Sequence, residues 1–162
     1  MDFAIWLDGV VLDVDTTDSL YMNYKGNKVA VPLMMRVQND WPPFYRNLRE
    51  LARIFILSPY SLEETEKVLK ELGIQESFIY NEGKTKPSKE PMERFVKRFG
   101  IDPLNLIIIG SSPLDLLSAR FYDSRIRVAC VIRRRDCAKY SPYIQAKSLT
   151  ELWVSLGKLK LL

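Results

Sequence analysis

Four short stretches carry residue types suited to chemistry on an anionic substrate. Asp8 and Gly9 follow the apolar run Phe3-Ala4-Ile5-Trp6-Leu7, so a buried strand delivers a carboxylate to its carboxyl end and a tight turn carries the chain away. Ser58 ends a second apolar run that begins at Arg53, and Lys86 stands within Lys84-Thr85-Lys86-Pro87-Ser88. Gly110-Ser111-Ser112-Pro113, with Asp115 beyond it, follows the most apolar run of the chain, Leu106 to Ile109. A hydroxyl, an ammonium and helix-start N–H groups together can hold an anion, and a strand-end carboxylate can move a proton. The chain has no histidine. Imidazole metal sites, Ser-His-Asp triads and histidine acid–base catalysis are therefore excluded. Cys130 and Cys137 fit no zinc or redox spacing and read as a core residue and a loop thiol.

The elements that must position these groups follow from the hydrophobic pattern. Runs at 3–7, 53–57, 78–80, 106–109 and 127–132 read as strands, most of them apolar on both faces, and helix signals fall between them. Asp40-Trp41-Pro42-Pro43 opens one helix, with Asp40 as its cap and Phe44, Leu48 and Leu51 on one face. Ser61-Leu62-Glu63-Glu64 is a capping box for a second, which Gly73 ends. A third runs from about Lys89 to Phe99, a fourth starts at Ser112-Pro113, and Ser148-Leu149-Thr150-Glu151 caps a last one. Tyr21-Met22-Asn23-Tyr24 and Lys28-Val29-Ala30-Val31 flank Gly26-Asn27 and read as a small β-hairpin over about 16–32. Strands alternating with helices give an α/β fold: a three-layer sandwich around a mainly parallel, Rossmann-like sheet of about five strands, with its site beyond their carboxyl ends.

With 162 residues, the chain is expected to form one domain over 1–162. No apolar run approaches the ~20 residues of a membrane span, and Asp2 with no basic region before the first apolar stretch does not read as a secretory signal. A cytoplasmic location is the expectation. The net charge of +4 is mild and reads as ordinary surface charge. Arg133-Arg134-Arg135, after the fifth strand, reads as a solvated edge, so nucleic acid is not the expected partner.

The opening run Ile5-Trp6-Leu7-Asp8-Gly9-Val10-Val11-Leu12-Asp13 resembles the first motif of the haloacid dehalogenase-like (HAD) phosphohydrolase superfamily. That motif reads Asp-x-Asp-Gly-Thr/Val-Leu/Val after two apolar residues. The resemblance extends over roughly Phe3 to Ile132: Ser58 stands where the second motif supplies a phosphate-binding hydroxyl, Lys86 where the third supplies its lysine, and Gly110, Ser112 and Asp115 where the fourth reads Gly-Asp-Ser-x-x-Asp. It implies a phosphate-binding set of Ser58, Lys86, Gly9, Ser111 and Ser112, with Asp8 as the acid–base position and Asp8 and Asp115 as metal ligands. It also implies a hairpin flap after the first motif. The thirty or so residues before the next helix are too few for a large cap domain.

Two positions depart from the pattern. The family's nucleophilic aspartate is Trp6 here, and the first acid of the fourth motif is Ser111. Phosphoryl transfer of this kind needs an aspartate to carry the phosphoryl group and Mg²⁺ to offset the charge, and Mg²⁺ prefers hard oxygen ligands. Asp8 and Asp115 alone make an incomplete site, so no cofactor or at most weakly held Mg²⁺ is expected. Trp6, two residues from Asp8 on a strand, is expected to face the same cleft. The reading is a HAD-like fold that has lost phosphotransfer and acts as a binding or interaction protein; its rival is an active Mg²⁺-dependent phosphatase using a second register, Asp13-Val14-Asp15. An uncapped cleft implies self-association or a protein partner as its cover, with phosphate or another small anion as the expected small ligand.

Overall fold

The computed structural model describes residues 1–162. Six strands, all parallel, form one sheet in the order β3-β2-β1-β4-β5-β6. They are β1 (Asp2–Trp6), β2 (Arg53–Leu57), β3 (Ser77–Ile79), β4 (Leu106–Gly110), β5 (Arg127–Val131) and β6 (Ile144–Ala146). The central strand β1 is buried from end to end and pairs with β2 on one side and β4 on the other. The sixth strand was not expected. Its three residues are too few to show a period, and pairing with β5 rather than local propensity holds it in the sheet.

Six helices cover the sheet: α1 (Thr17–Tyr24), α2 (Trp41–Arg49), α3 (Leu62–Leu72), α4 (Glu90–Phe99), α5 (Pro113–Tyr122) and α6 (Leu149–Lys158). Alternation along the strands divides the core in two. Phe3, Ile5, Ile107 and Ile109 pack with α2, α3 and α6, and Ala4, Trp6, Leu106 and Ile108 pack with α4 and α5. Ser61 and Ser148 cap α3 and α6 as their spacing predicts, while Ser112 and Asp115 form a reciprocal capping box on α5. Asp40 precedes α2 without capping it, because its carboxylate is taken by Arg133 and the Leu149 N–H. Leu51 lies beyond the end of α2 and is exposed.

The hairpin expected over 16–32 is replaced by α1 and an irregular stretch from Asn27 to Arg36. Residues 21–24 have strand-forming side chains, but the threonines before them dock onto the sheet end and start a helix instead. Asp15 accepts a hydrogen bond from the Thr17 N–H, which opens the first turn. Only the base of the loop is strand-like: the Asp13 N–H donates to the Arg36 carbonyl, and the Gln38 N–H to that of Val11. Cys137, expected as a loop thiol, is buried and disulfide-bonded to Cys130 at the end of β5. The bond closes the loop that carries Arg133, Arg134 and Arg135.

Candidate functional site

The strand ends converge on Lys86. The chain beyond β1 makes one wide turn over Leu7–Val11, closed by the Leu12 N–H on the Leu7 carbonyl, and Gly9 adopts φ +83° within it. A side chain at Gly9 would meet Ser111 Oγ at 2.0 Å, so the glycine is required by conformation and by space alike. This turn aims Asp8 inward. Its Oδ2 lies 2.8 Å from Lys86 Nζ and accepts a 2.5 Å hydrogen bond from Thr16 Oγ1. From the other side Asp115, on the first turn of α5, places Oδ1 2.5 Å from the same Nζ, and its Oδ2 accepts the N–H groups of Ser111 and Ser112. The Trp6 ring completes the enclosure, with Lys86 Nζ 4.3 Å from its centroid.

This triad is dry. The side chain of Lys86 is 0% exposed, as is that of Asp115, and Asp8 is 2% exposed. Burial alone would lower the Lys86 pKa, but the charges of Asp115 and then Asp8 outweigh it and raise it, which keeps the ammonium charged. Burial raises the Asp115 carboxyl, and the charge of Asp8 adds to the rise against the pull of Lys86. Asp8 Oδ1 and Trp6 Nε1 are buried with no hydrogen-bond partner. Trp6 does not look out on a cleft; it is fully buried among the residues that pack with α4 and α5.

Of the groups expected to bind phosphate, Ser58, Ser112 and Lys86 are engaged within the chain. Ser58 Oγ pairs with Thr65 Oγ1 at 2.7 Å and accepts the Tyr60 N–H. Ser112 Oγ accepts the Leu114 N–H and meets Thr17 Oγ1 at 2.9 Å, and Ser111 Oγ packs against Gly9. With Lys86 shared between two carboxylates, the Ser111 hydroxyl is the one side-chain donor of the set without a hydrogen-bond partner in the chain, and it lines a small recess with Gly9, Gln38 and Arg133. Magnesium meets its obstacle in Lys86. No group of three or more acid, cysteine or histidine side chains is placed to hold a metal, and the ammonium occupies the point between Asp8 and Asp115 that a cation would need. The residues present do not fit the ion.

Several residues at the site were not assigned to it by the sequence. Thr16 and Thr17 link α1 to Asp8 and Ser112. Arg133 donates to the carbonyls of Gly9 and Val10 and forms a two-pronged pair with Asp40, while Gln38 also donates to the Gly9 carbonyl. Arg134 pairs with Asp13, and Arg135 with Asp15 and Asp18. Arg133 and Arg135 are thus a clamp on the turn and on α1, with Arg134 exposed beside them, and the carboxylates of the second register, Asp13 and Asp15, are spent on these pairs. An adjacent acid-rich stretch at 13–18 and a run of three arginines were the only signal of it.

A parallel α/β sheet with a lysine, two acids and a serine at its strand ends belongs to the architecture of phosphohydrolases of the HAD type. Residues 24–121, more than half of the chain, match the family model of haloacid dehalogenase-like hydrolases, and the chain belongs to that family. The matched span begins after β1 and its turn, and it includes Ser58, Lys86, Ser111 and Asp115. Among solved structures, YfnB of Bacillus subtilis, described as a HAD-hydrolase and bound to magnesium, aligns with a TM-score of 0.75 at 13% identity, over 96% of this chain and 97% of its own. A hydrolase from Pseudomonas syringae aligns at 0.75 and 12%, over 98% of both chains. A haloacid dehalogenase-like family protein from Streptococcus pneumoniae aligns at 0.73 and 13%, over 96% and 97%. At such identities the likeness is one of fold. None of the curated proteins compared with the chain matches it. No helix is long and apolar enough to cross a membrane.

Proposed function

We propose that this member of the family has lost phosphotransfer and serves as a binding protein. One observation carries the reading: the reaction centre is filled by the chain itself. Where a nucleophilic carboxylate would stand, an indole packs against Lys86, and the one ammonium is shared between the two remaining acids in an enclosure shut off from solvent. Trp6 offers no oxygen nucleophile where the family's carboxylate would stand. Release of the phenol from a chromogenic aryl phosphate, followed with and without Mg²⁺, tests this. No metal-dependent turnover is expected. Turnover that rises with Mg²⁺ and vanishes in Asp8→Asn would overturn the proposal, and loss in Asp13→Asn instead would assign activity to the second register.

A further inference from the structure

The end of α1 and the stretch after it form the longest run of exposed residues in the chain. Every residue from Tyr21 to Ala30 is exposed, and Tyr24, Val29, Met34 and Met35 present large apolar surface to solvent. Val29-Ala30-Val31 has strong β-propensity, yet it pairs with no strand. Between Lys28 and Arg36 the only amide that donates within the chain is that of Val29, to Asn23 Oδ1; Pro32 has none to give, and the rest find no acceptor in the protein. Val31 and Pro32 are nonetheless held in place, since the buried Tyr60 hydroxyl donates to the Pro32 carbonyl.

Beside this edge runs an open groove of about 920 Å³, bounded by α1, the following chain, the loop 81–90 and Phe121 of α5. Leu20, Tyr24, Val29, Val31 and Phe121 make it apolar. Its unpaired charge is positive, since Glu90, the one acid in the lining, is paired with Lys84. From Ser19 to Asn39 there are Lys25, Lys28 and Arg36 and no acid, and Lys89 on the facing loop, like Lys25 and Lys28, has no ion-pair partner. In the wall of the groove Thr85 Oγ1 is shut off from solvent without a hydrogen-bond partner.

We propose that this groove docks an extended segment of a partner protein, apolar and acidic in alternation, which adds as a strand to the edge at 28–35. Unpaired amides supply main-chain bonds, the apolar lining takes alternate side chains, and the lysines take the carboxylates. A second copy of the chain is a poor occupant. A symmetric contact would set an all-positive edge against itself, and antiparallel self-pairing centred on Pro32 would bring Lys28 opposite Arg36.

The inference gives a partner to the binding role proposed above, and its test is separable from that role. Turnover of an aryl phosphate would overturn the loss of catalysis and leave the groove untouched. A displayed library of random short peptides is panned against the parent and against Lys28→Glu/Lys89→Glu, both substitutions being at exposed positions. Peptides retained by the parent should alternate Asp or Glu with apolar residues, should protect the amides of 28–35 from hydrogen exchange, and should bind the variant about tenfold or more weakly. Peptides without acidic enrichment, equal affinity for the variant, or protection confined to other segments would overturn the proposal. So would a parent dimer in sedimentation that the peptides dissociate, which would assign the surface to a second copy.

Discussion

Lys86→Met is the most demanding test of the site. The substitution keeps an unbranched side chain of similar length but removes the ammonium, leaving Asp8 and Asp115 buried with no cation between them. Breaking a buried ion pair by deleting one partner costs about 3 to 5 kcal/mol. The contact with the Trp6 ring goes as well, and its worth is not additive with the rest. For a chain of this size the loss corresponds to a drop of about 6 to 20 °C in Tm. The pH dependence follows from the directions of the shifts. In the parent the folded Lys86 pKa is raised, so its contribution is complete below the ordinary value of 10.5 and disappears as pH rises through the folded value. Asp115 is raised too, so its folded form holds a proton more tightly than the unfolded form. That favours the fold at pH below 3.8 and is lost on rising through the folded value. Without the ammonium the Asp115 carboxyl rises further, so the deficit of Lys86→Met should shrink as pH falls from neutral and the carboxyl takes up its proton. Urea unfolding across that range reads it directly. Adding Asp8→Asn and Asp115→Asn to Lys86→Met should restore much of the loss, because the uncompensated charges go with the cation. Millimolar Mg²⁺ should raise the Tm of Lys86→Met and leave the parent unmoved, since a cation could then enter between the acids. Stability of Lys86→Met within about 0.5 kcal/mol of the parent at pH 7, the range of a plain surface change, would refute the dry triad altogether.

Gly9→Ala should destabilise by at least about 1 to 3 kcal/mol, since it combines a left-handed φ with a collision at Ser111 Oγ, and Ser111→Gly in the same chain should recover part of it in thermal unfolding. Arg133→Met should cost about 2 to 3 kcal/mol through its charge-assisted bonds to Asp40 and the turn carbonyls. Burial works against it, but Arg133 and the Leu149 N–H hold the Asp40 carboxyl below its ordinary 3.8, so that contribution exists above this value and fades as pH falls through the lower folded one. Acid titration of stability should therefore lose that component in Arg133→Met. Reduction of the Cys130–Cys137 bond should remove about 2.5 kcal/mol on the loop-entropy estimate for residues seven apart, checked by unfolding with and without a dithiol after counting free thiols.

The sheet was legible because its strands are buried on both faces and therefore read as continuous apolar runs, as in Ile107-Ile108-Ile109. Gly-and-Ser helix starts were legible for a local reason: the capping box of Ser112 and Asp115 is satisfied by residues three apart. The site's contents could be read, down to the indole at position 6, but its condition could not. Whether Lys86 faces solvent or two carboxylates depends on Asp8 and Asp115 meeting across the sheet end, and no spacing in the sequence reports that distance. The same holds for α1, whose helical state is decided by Thr16 and Thr17 bonding to residues far along the chain, and for the arginines, whose carboxylate partners lie more than ninety positions away. The sixth strand and the disulfide depend likewise on pairing in space.

The arginine clamp also fixes an order of events during synthesis. Arg133 reaches back 124 positions to the Gly9 carbonyl, and Arg135 reaches back 120 to Asp15. A chain emerging from its amino terminus must present β1, its turn and α1 long before the residues that pin them exist. Until then Asp15 and Asp18 lack their counterion, Asp13 has only Arg36, and α1 is held at its start by the bond from Thr16 to Asp8. A nascent or truncated chain ending short of Arg133 would thus carry the apolar, basic edge at 28–35 on a loosely tethered arm, open to proteases and chaperones.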